Sequence, residues 1–317
     1  MASELQLVTV SEAAAAAEDP SRSADAVEML DHLESCWSRF VASSDVSRLN
    51  LAGGRPVRVD PATVTLVSTM IDAWQTTDHR FDPTILPSLM AAGYRSSIED
   101  PRRVTILPSG AMHVGGFDGD RTTIEHVEID PGACTIRLPV GLFIDAGGIG
   151  KGLAADLSVA HALRSGASGA LTGIGGDIAV GGRPPDGGWI VHIEHPDATR
   201  EPIGTIAVTG GGVATSSTRS RRWRSDGAER HHVIDPWTDA PSTTDLWSVT
   251  VIARSGWLAE AHATAALLAG SAGVVEYLEG HDVSGLAVAA DGRLLATDDL
   301  AALTSGSVAT SGIGAVR

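Results

Sequence analysis

Residues 143–152 are a strand-to-helix segment that indicates the local fold: Phe143-Ile144-Asp145-Ala146-Gly147-Gly148-Ile149-Gly150-Lys151-Gly152. The pattern predicts a strand that ends at Asp145, a glycine-rich turn, and a helix that begins near Gly152. Backbone N–H groups at a helix start, together with a lysine, suit an anionic ligand such as a phosphate. The spacing is neither that of a Walker loop nor that of a dinucleotide-binding GxGxxG turn. A tight turn with a solvated lysine is the structural alternative.

The composition is that of a folded protein of 317 residues. Hydrophobic residues make up 43% and charged residues 20%, which allows a sizeable core and excludes global disorder. The formal net charge of −16 disfavours binding to a nucleic-acid backbone. The two cysteines, Cys36 and Cys134, exclude a disulfide scaffold and lie too far apart for a metal knuckle.

Helical and strand patterns alternate irregularly along the chain, which predicts an α+β fold with mixed or antiparallel sheets and packed helices. Residues 5–10 and 246–253 read as strands and residues 62–76 and 257–269 as helices, whereas residues 43–50 read as a polar loop. We expect a single domain over residues 1–304 and a flexible tail over residues 305–317. No apolar stretch is long enough for a membrane span, and no signal peptide is visible, so we expect a cytoplasmic protein, although a trimmed leader would leave the same pattern.

Two further segments carry groups that can do chemistry. Glu260 and Thr264 share one face of a predicted helix, where a carboxylate and a hydroxyl can bind a hard cation. His232 is a candidate general base or metal ligand, and His231 should point to the opposite face of its strand. The structural alternatives are a partly buried polar pair and two surface histidines before a turn.

Eight short segments, taken in order, resemble the ApbE family of FAD:protein FMN transferases. The matching segments are Met1-Ala2-Ser3, Ser47-Arg48-Leu49-Asn50, Phe81-Asp82-Pro83-Thr84, Asp145 to Gly152, Gly175-Gly176-Asp177, Ala214-Thr215-Ser216-Ser217, His232 to Pro236, and Ala259 to Thr264. Each segment is a weak signal alone, but their shared order covers nearly the whole chain. The resemblance implies an enzyme that cleaves FAD and joins FMN, through a phosphoester, to a Thr or Ser of a partner protein.

The resemblance also implies roles for individual positions. It assigns FAD contacts to Met1, Phe40, Asp82, Pro83, Thr84, Asp145, Lys151 and Ile234. It assigns Mg²⁺ ligands to Gly148, Glu260, Ala263 and Thr264, and the removal of the acceptor proton to His232. The expectation that follows is that the loop at 145–152 and the helical turn at 260–264 hold the FAD diphosphate through one divalent ion.

One departure from the family pattern leaves the activity open. The family has Asp where this chain has Glu260, and the extra methylene can displace an ion that requires octahedral geometry at roughly 2.0–2.1 Å. The chain is therefore interpreted as a metal-dependent FMN transferase, with two alternatives. These are an FAD pyrophosphatase, which would release FMN and AMP, and a non-catalytic FAD-binding protein.

Overall fold

The computed structural model describes residues 4–10, 20–97, 100–111, 122–225, 227–304 and 312–313. Its α-helices are α1 Pro20–Trp37, α2 Asp45–Leu51, α3 Pro61–Thr76, α4 Leu86–Ala91, α5 Gly150–Arg164, α6 Gly256–Leu268, α7 Gly270–Gly280 and α8 Ala301–Thr304. Short 3₁₀ turns cover Ile124–His126 and Asp298–Leu300. None of the helices in these ranges is long and apolar enough to cross a lipid bilayer.

The strands are short, and most pair antiparallel. They are β1 Leu5–Val10, β2 Val57–Arg58, β3 Glu128–Asp130, β4 Thr135–Arg137, β5 Gly169–Ile174, β6 Asp177–Gly182, β7 Trp189–Ile193, β8 Gly204–Val208, β9 Gly211–Ser217, β10 Arg222–Ser225, β11 Ala228–His231, β12 Ile234–Asp235, β13 Ala240–Pro241, β14 Leu246–Ala253, β15 Ser284–Ala289, β16 Leu294–Ala296 and β17 Gly312–Ile313. The β8–β17 pair is parallel, so the predicted α+β class with mixed and antiparallel sheets is confirmed.

The chain divides into two compact units, and each is assembled from separate segments. Unit 1 contains residues 31–150 and 220–243, and unit 2 contains residues 3–30, 151–219 and 244–317. The single domain expected over residues 1–304 stays a prediction. Most of the tail at 305–317 lies outside the described residues.

Unit 2 is built on a seven-stranded antiparallel sheet in the order β1-β5-β6-β9-β14-β15-β16. Helix α6 packs against β9 and β14, and most of its side chains are buried, including charged Glu260. A helix that is apolar on almost every side must lie inside the protein, and the sheet supplies the covering surface. A second cluster of buried apolar side chains joins this sheet to the β7–β8 hairpin.

Unit 1 combines helices α2, α3 and α4 with three small sheets, β2-β4-β3, β10-β11 and β12-β13. Helix α3 begins as the sequence predicts, because Asp60 is the N-cap and accepts from the Ala62 N–H, and Pro61 follows it. The buried residues of this unit include Leu66, Met70 and Ile144.

The prediction of a polar loop over residues 43–50 is wrong. Residues Asp45–Leu51 form helix α2, and the Ser44 hydroxyl caps it by accepting from the Ser47 N–H. Its buried polar side chains have distant partners, since Asp45 accepts from the backbone N–H of Asp60 at 2.8 Å. Contacts of that range leave no periodic signal in the local sequence.

Candidate functional site

Helices α5 and α6 of unit 2 approach each other closely at two glycines. A Cβ atom on Gly152 would lie 2.3 Å from the carbonyl oxygen of Gly256, and one on Gly256 would lie 2.7 Å from the carbonyl oxygen of Gly152. Only residues without a side chain allow this backbone contact. The contact brings the first turn of α5 beside the helical turn that carries Glu260.

A buried group of three charges lies at this crossing. The Lys151 ammonium contacts Asp177 Oδ2 and, at 2.6 Å, Glu260 Oε1, while Glu260 Oε2 accepts from the Gly152 N–H at 2.8 Å. The side chain of Lys151 is 16% exposed, and those of Asp177 and Glu260 are 3% and 4% exposed. We call these three residues the Lys151 cluster. Lys151 therefore contacts the helical turn at 260–264, whereas the shared divalent ion and the diphosphate stay predictions.

Lys151 is the single lysine of the sequence, and the other 22 of its 23 basic residues are arginines. An ammonium is a compact charge with three donors, whereas a guanidinium is a wide planar fork. A compact cation fits between two carboxylates that come from different directions. The occurrence of lysine at this one position is therefore explained by the geometry of the cluster.

The cluster has one positive and two negative groups, and burial makes this imbalance costly. Burial lowers the pKa of Lys151, but the charges of Asp177 and Glu260 raise it by more than burial lowers it. The net result is a pKa above the usual range. Burial raises the pKa of Glu260 to about 7, against the opposing effect of Lys151. The cluster therefore favours a further positive charge.

The donor atoms around the cluster suit a hard divalent cation. Glu260 supplies carboxylate oxygens, and Thr264 lies one turn further along α6 with its hydroxyl 2.9 Å from Ser216 Oγ. Oxygen donors and excess negative charge are what Mg²⁺ prefers. Glu260 and Thr264, two of the residues of unit 2 that are predicted to bind Mg²⁺, thus carry donors of the kind that such an ion prefers, and Ala263 lies between them on α6.

His262 lies in the same helical turn but serves another purpose. Its Nδ1 atom is 2.8 Å from the Tyr277 hydroxyl, and the residue is 2% exposed. It joins α6 to α7 and points away from the face of Glu260 and Thr264, as expected for a residue two positions from each.

The Asp145 turn in unit 1 is held by contacts from three other segments. The Asn50 side chain donates to the carbonyl oxygen of Ile144 at 2.9 Å and accepts from the Ile144 N–H at 2.8 Å. The Asp145 N–H donates to the carbonyl oxygen of Pro83 at 2.9 Å, and Arg39 Nε lies 3.2 Å from Asp145 Oδ2. Asp145 is therefore brought together with the predicted turn at Asp82–Thr84.

That turn and the glycine pair beside Asp145 are both tightly constrained. Asp82 Oδ1 accepts from the backbone N–H and the hydroxyl of Thr84, at 2.8 and 2.6 Å. A Cβ atom on Gly148 would lie 2.9 Å from the Phe81 ring, so the ring occupies the space above this glycine. The guanidinium of Arg39 lies over the Phe40 ring, 4.1 Å from its centre. Phe40 therefore contacts the residue that forms the salt bridge with Asp145.

The histidine pair lies at the end of β11 in unit 1, with His231 as the last residue of the strand and His232 directly after it. His231 Nε2 is 3.1 Å from the carbonyl oxygen of Ser242, and burial lowers the pKa of His231. His232 is half-buried, and Ile234 is buried with 2% exposure. Met1 lies outside the described residues.

Sequence reasoning missed four residues that hold the site together. Asp177 is the second carboxylate of the Lys151 cluster, and Asn50, Arg39 and Ser216 each bond a predicted site residue or its neighbour. Asp177 and Asn50 end two of the recognised segments, so position in a motif was an available signal. Ser216 likewise lies within a recognised segment, whereas Arg39 has no such signal, because its partner Asp145 is distant in sequence.

Helix α6 is capped from another helix. Asp156 of α5 accepts from the N–H groups of Gly256 and Trp257 at 2.8 and 3.0 Å, whereas Ser255 makes no side-chain cap. Burial raises the pKa of Asp156 from 3.8 to about 6, although these two hydrogen bonds oppose the change.

We expect this carboxyl to give the protein a characteristic pH dependence. Its proton is bound more tightly in the folded state, so its contribution to stability is complete below pH 3.8 and is lost as the pH rises through about 6. Relative to Asp156→Asn, the wild-type free energy of unfolding should fall by roughly 3 kcal/mol over this range. Urea denaturation of both proteins between pH 4 and 7 measures it.

Asp245→Asn is the matched control, because hydrogen bonds from Ser271 hold the pKa of the Asp245 carboxyl below its usual value. The difference between wild type and this variant should stay constant from pH 5 to 7. A constant difference for Asp156→Asn as well would mean that the two N–H groups offset the burial of its charge.

The arrangement agrees with comparisons to known proteins. The family model described as ApbE family matches residues 1–289. Among curated proteins, the FAD:protein FMN transferase of Vibrio cholerae serotype O1 is 27% identical over 247 residues, which are 76% of this chain and 71% of that protein. The protein of the same name from Escherichia coli K12 is 27% identical over 266 residues, 80% of this chain and 73% of that one.

Solved structures give the same fold. The ApbE protein of Thermotoga maritima superposes with a TM-score of 0.77 at 24% identity, over 95% of this chain and 99% of that one. The flavinyl transferase ApbE of Pseudomonas stutzeri, in its apo form, gives 0.73 at 23% identity, over 96% and 98%. The fold is therefore that of the flavin transferases. This chain belongs to the ApbE family.

Proposed function

We propose that this protein is an FAD:protein FMN transferase that acts on a Thr or Ser of a partner protein. The observation that carries the proposal is the Lys151 cluster, a buried ammonium held by Asp177 and Glu260 at the start of α5. A chain with a net charge of −16 needs local positive charge to bind a diphosphate. Because Lys151 is already paired with two carboxylates, a divalent cation beside it, together with the helix N-terminus, would supply that charge.

The reaction exchanges a phosphoanhydride bond for a phosphoester bond. The acceptor hydroxyl oxygen bonds to the phosphorus on the riboflavin side of FAD, and the bond from that phosphorus to the bridging oxygen breaks, so that AMP leaves. His232 takes the hydroxyl proton, because a neutral imidazole near pH 7 is a suitable base. Lys151 offsets the charge on the phosphate oxygens.

The remaining assignments follow the family pattern. Met1, Phe40, Ile234 and the turn at Asp82, Pro83 and Thr84 would contact FAD with Asp145. Glu260, Ala263 and Thr264, together with the Gly148 carbonyl, would hold Mg²⁺, which when bound neutralises charge on the diphosphate. The cytoplasmic location expected from the sequence stays a prediction.

The test is direct transfer to a peptide. The protein is incubated with FAD, Mg²⁺ and a peptide that contains Asp-x-x-[Ser/Thr]-[Gly/Ala]-Ala-[Thr/Ser], and the mass of the peptide is measured. We expect the peptide to gain the mass of FMN and an equal amount of AMP to be released. His232→Ala should lower the rate by about 100-fold or more, whereas the neighbouring His231→Ala should keep most of it, because the His231 ring is engaged by Ser242.

Two other results would replace the proposal. FMN and AMP that form without any peptide, at a rate similar to transfer, would identify an FAD pyrophosphatase. Absence of turnover with every divalent cation, followed by turnover in Glu260→Asp, would identify an FAD-binding protein whose glutamate prevents catalysis.

A further inference from the structure

A group of side chains that could hold a metal ion lies in unit 1, and it shares no residue with those that have proposed roles in transfer. His32 and Cys36 are four residues apart on α1 and therefore share one face of the helix, and Asp60 is the N-cap of α3. His32 Nε2 lies 3.0 Å from Asp60 Oδ2 and 3.8 Å from Cys36 Sγ. All three ligand atoms lie within 4.8 Å of one another.

These distances are close to those between the ligands of a tetrahedral metal ion, with the two measured separations falling on either side of the ideal value. Nitrogen, sulfur and oxygen ligands at about 2.0–2.3 Å from a tetrahedral zinc ion lie roughly 3.3–3.5 Å from each other. Small side-chain movements are enough to place the three atoms around one ion. Three protein ligands leave a fourth position, which water can fill because the side chain of His32 is 53% exposed.

The ligand atom of Asp60 is already oriented. Asp60 Oδ1 accepts from the Ala62 N–H at 2.8 Å, so Oδ2 is directed to His32. The backbone N–H of Asp60 donates to Asp45, whose other oxygen pairs with Arg48 at 2.6 Å. Because this carboxylate is already held in position, less conformational entropy is lost when a metal ion binds.

The same residues do not form a catalytic Cys–His–Asp triad. A triad uses the two ring nitrogens for different partners, whereas Cys36 and Asp60 both approach Nε2 of His32. Three potential ligand atoms that lie within 4.8 Å of one another are instead compatible with a cation site.

We propose that His32, Cys36 and Asp60 bind a thiophilic divalent cation such as Zn²⁺ and thereby link α1 to the start of α3. Thiolate and imidazole ligands select zinc-like ions over Mg²⁺, so this ion differs from the one proposed at Glu260. The proposal is independent of flavin transfer.

Cobalt binding tests it, since Co²⁺ substitutes for Zn²⁺ and is coloured. The full chain without an affinity tag is titrated with Co²⁺ in a Mg²⁺-free buffer. We expect a near-ultraviolet thiolate-to-cobalt charge-transfer band that saturates at one ion per chain and disappears when Zn²⁺ is added. A Co²⁺ ion bound only by oxygens at the Glu260 site gives no such band.

Variants assign the band to this site. Cys36→Ser should abolish it, and His32→Gln, at a position exposed enough to preserve folding, should weaken Zn²⁺ binding by at least about tenfold. Cys134→Ser is the matched control and should keep the band. Absence of the band in the wild type, or its persistence in Cys36→Ser, would overturn the proposal.

Discussion

We expect Lys151→Met to lower kcat/KM for FMN transfer by at least about 100-fold, because it removes the positive charge that we propose acts on the diphosphate. Methionine keeps the length of the side chain but leaves Asp177 and Glu260 buried without their shared cation. Removing one partner of a buried ion pair costs about 3 kcal/mol or more of the free energy of unfolding. Transfer to the acceptor peptide and urea denaturation at pH 7 measure the two effects.

Two further variants separate catalysis from folding. The double change Lys151→Met with Glu260→Gln removes one of the two unpaired charges, so stability should recover in part while transfer stays low. Lys151→Arg keeps the charge but places a wide guanidinium in a narrow gap, and it should not restore activity. Lys151→Met that retains transfer within about threefold of wild type would remove this residue from the mechanism.

Gly152→Ala is the second change with a large expected effect. The new Cβ would lie 2.3 Å from the carbonyl oxygen and 2.5 Å from the carbonyl carbon of Gly256, and backbone atoms cannot turn away as a flexible side chain can. Helices α5 and α6 must therefore separate, which we expect to cost about 3 kcal/mol or more. Thermal unfolding measures the loss, and FMN transfer should fall with it, since the separation also moves Glu260 away from Lys151.

The matched control is Gly273→Ala on α7 of the same unit. A Cβ at Gly273 would meet only Ala269, at 3.8 Å, so alanine fits and should raise stability by up to about 1 kcal/mol through its higher helix propensity. If Gly152→Ala unfolds at the wild-type temperature, the close helix crossing is not needed to hold the Lys151 cluster.

Several elements could be predicted because their signals are local. Asp60 and Pro61 mark the start of α3, the apolar run over residues 246–253 coincides with β14, and Asp291-Gly292 forms the turn between β15 and β16. Each depends on capping, alternation or turn chemistry within a few residues.

Other elements could not be predicted because their signals are not local. Strand β9 contains Gly211-Gly212-Val213-Ala214-Thr215-Ser216-Ser217, which lacks a clear alternation of apolar and polar residues. It is a central strand because β6 and β14 pair with its two edges. Tertiary pairing thus outweighs its weak local propensity.

By itself, the sequence determined the fold class, the order of the recognised segments and the types of residue available for chemistry, because these follow from local pattern. Only the tertiary structure decided which charges meet. Asp177 and Glu260 lie 26 and 109 residues from Lys151 along the chain, and Asp60 lies 28 residues from His32. Such contacts depend on close helix packing at Gly152 and on strand pairing, and neither leaves a periodic mark near the residues that it joins.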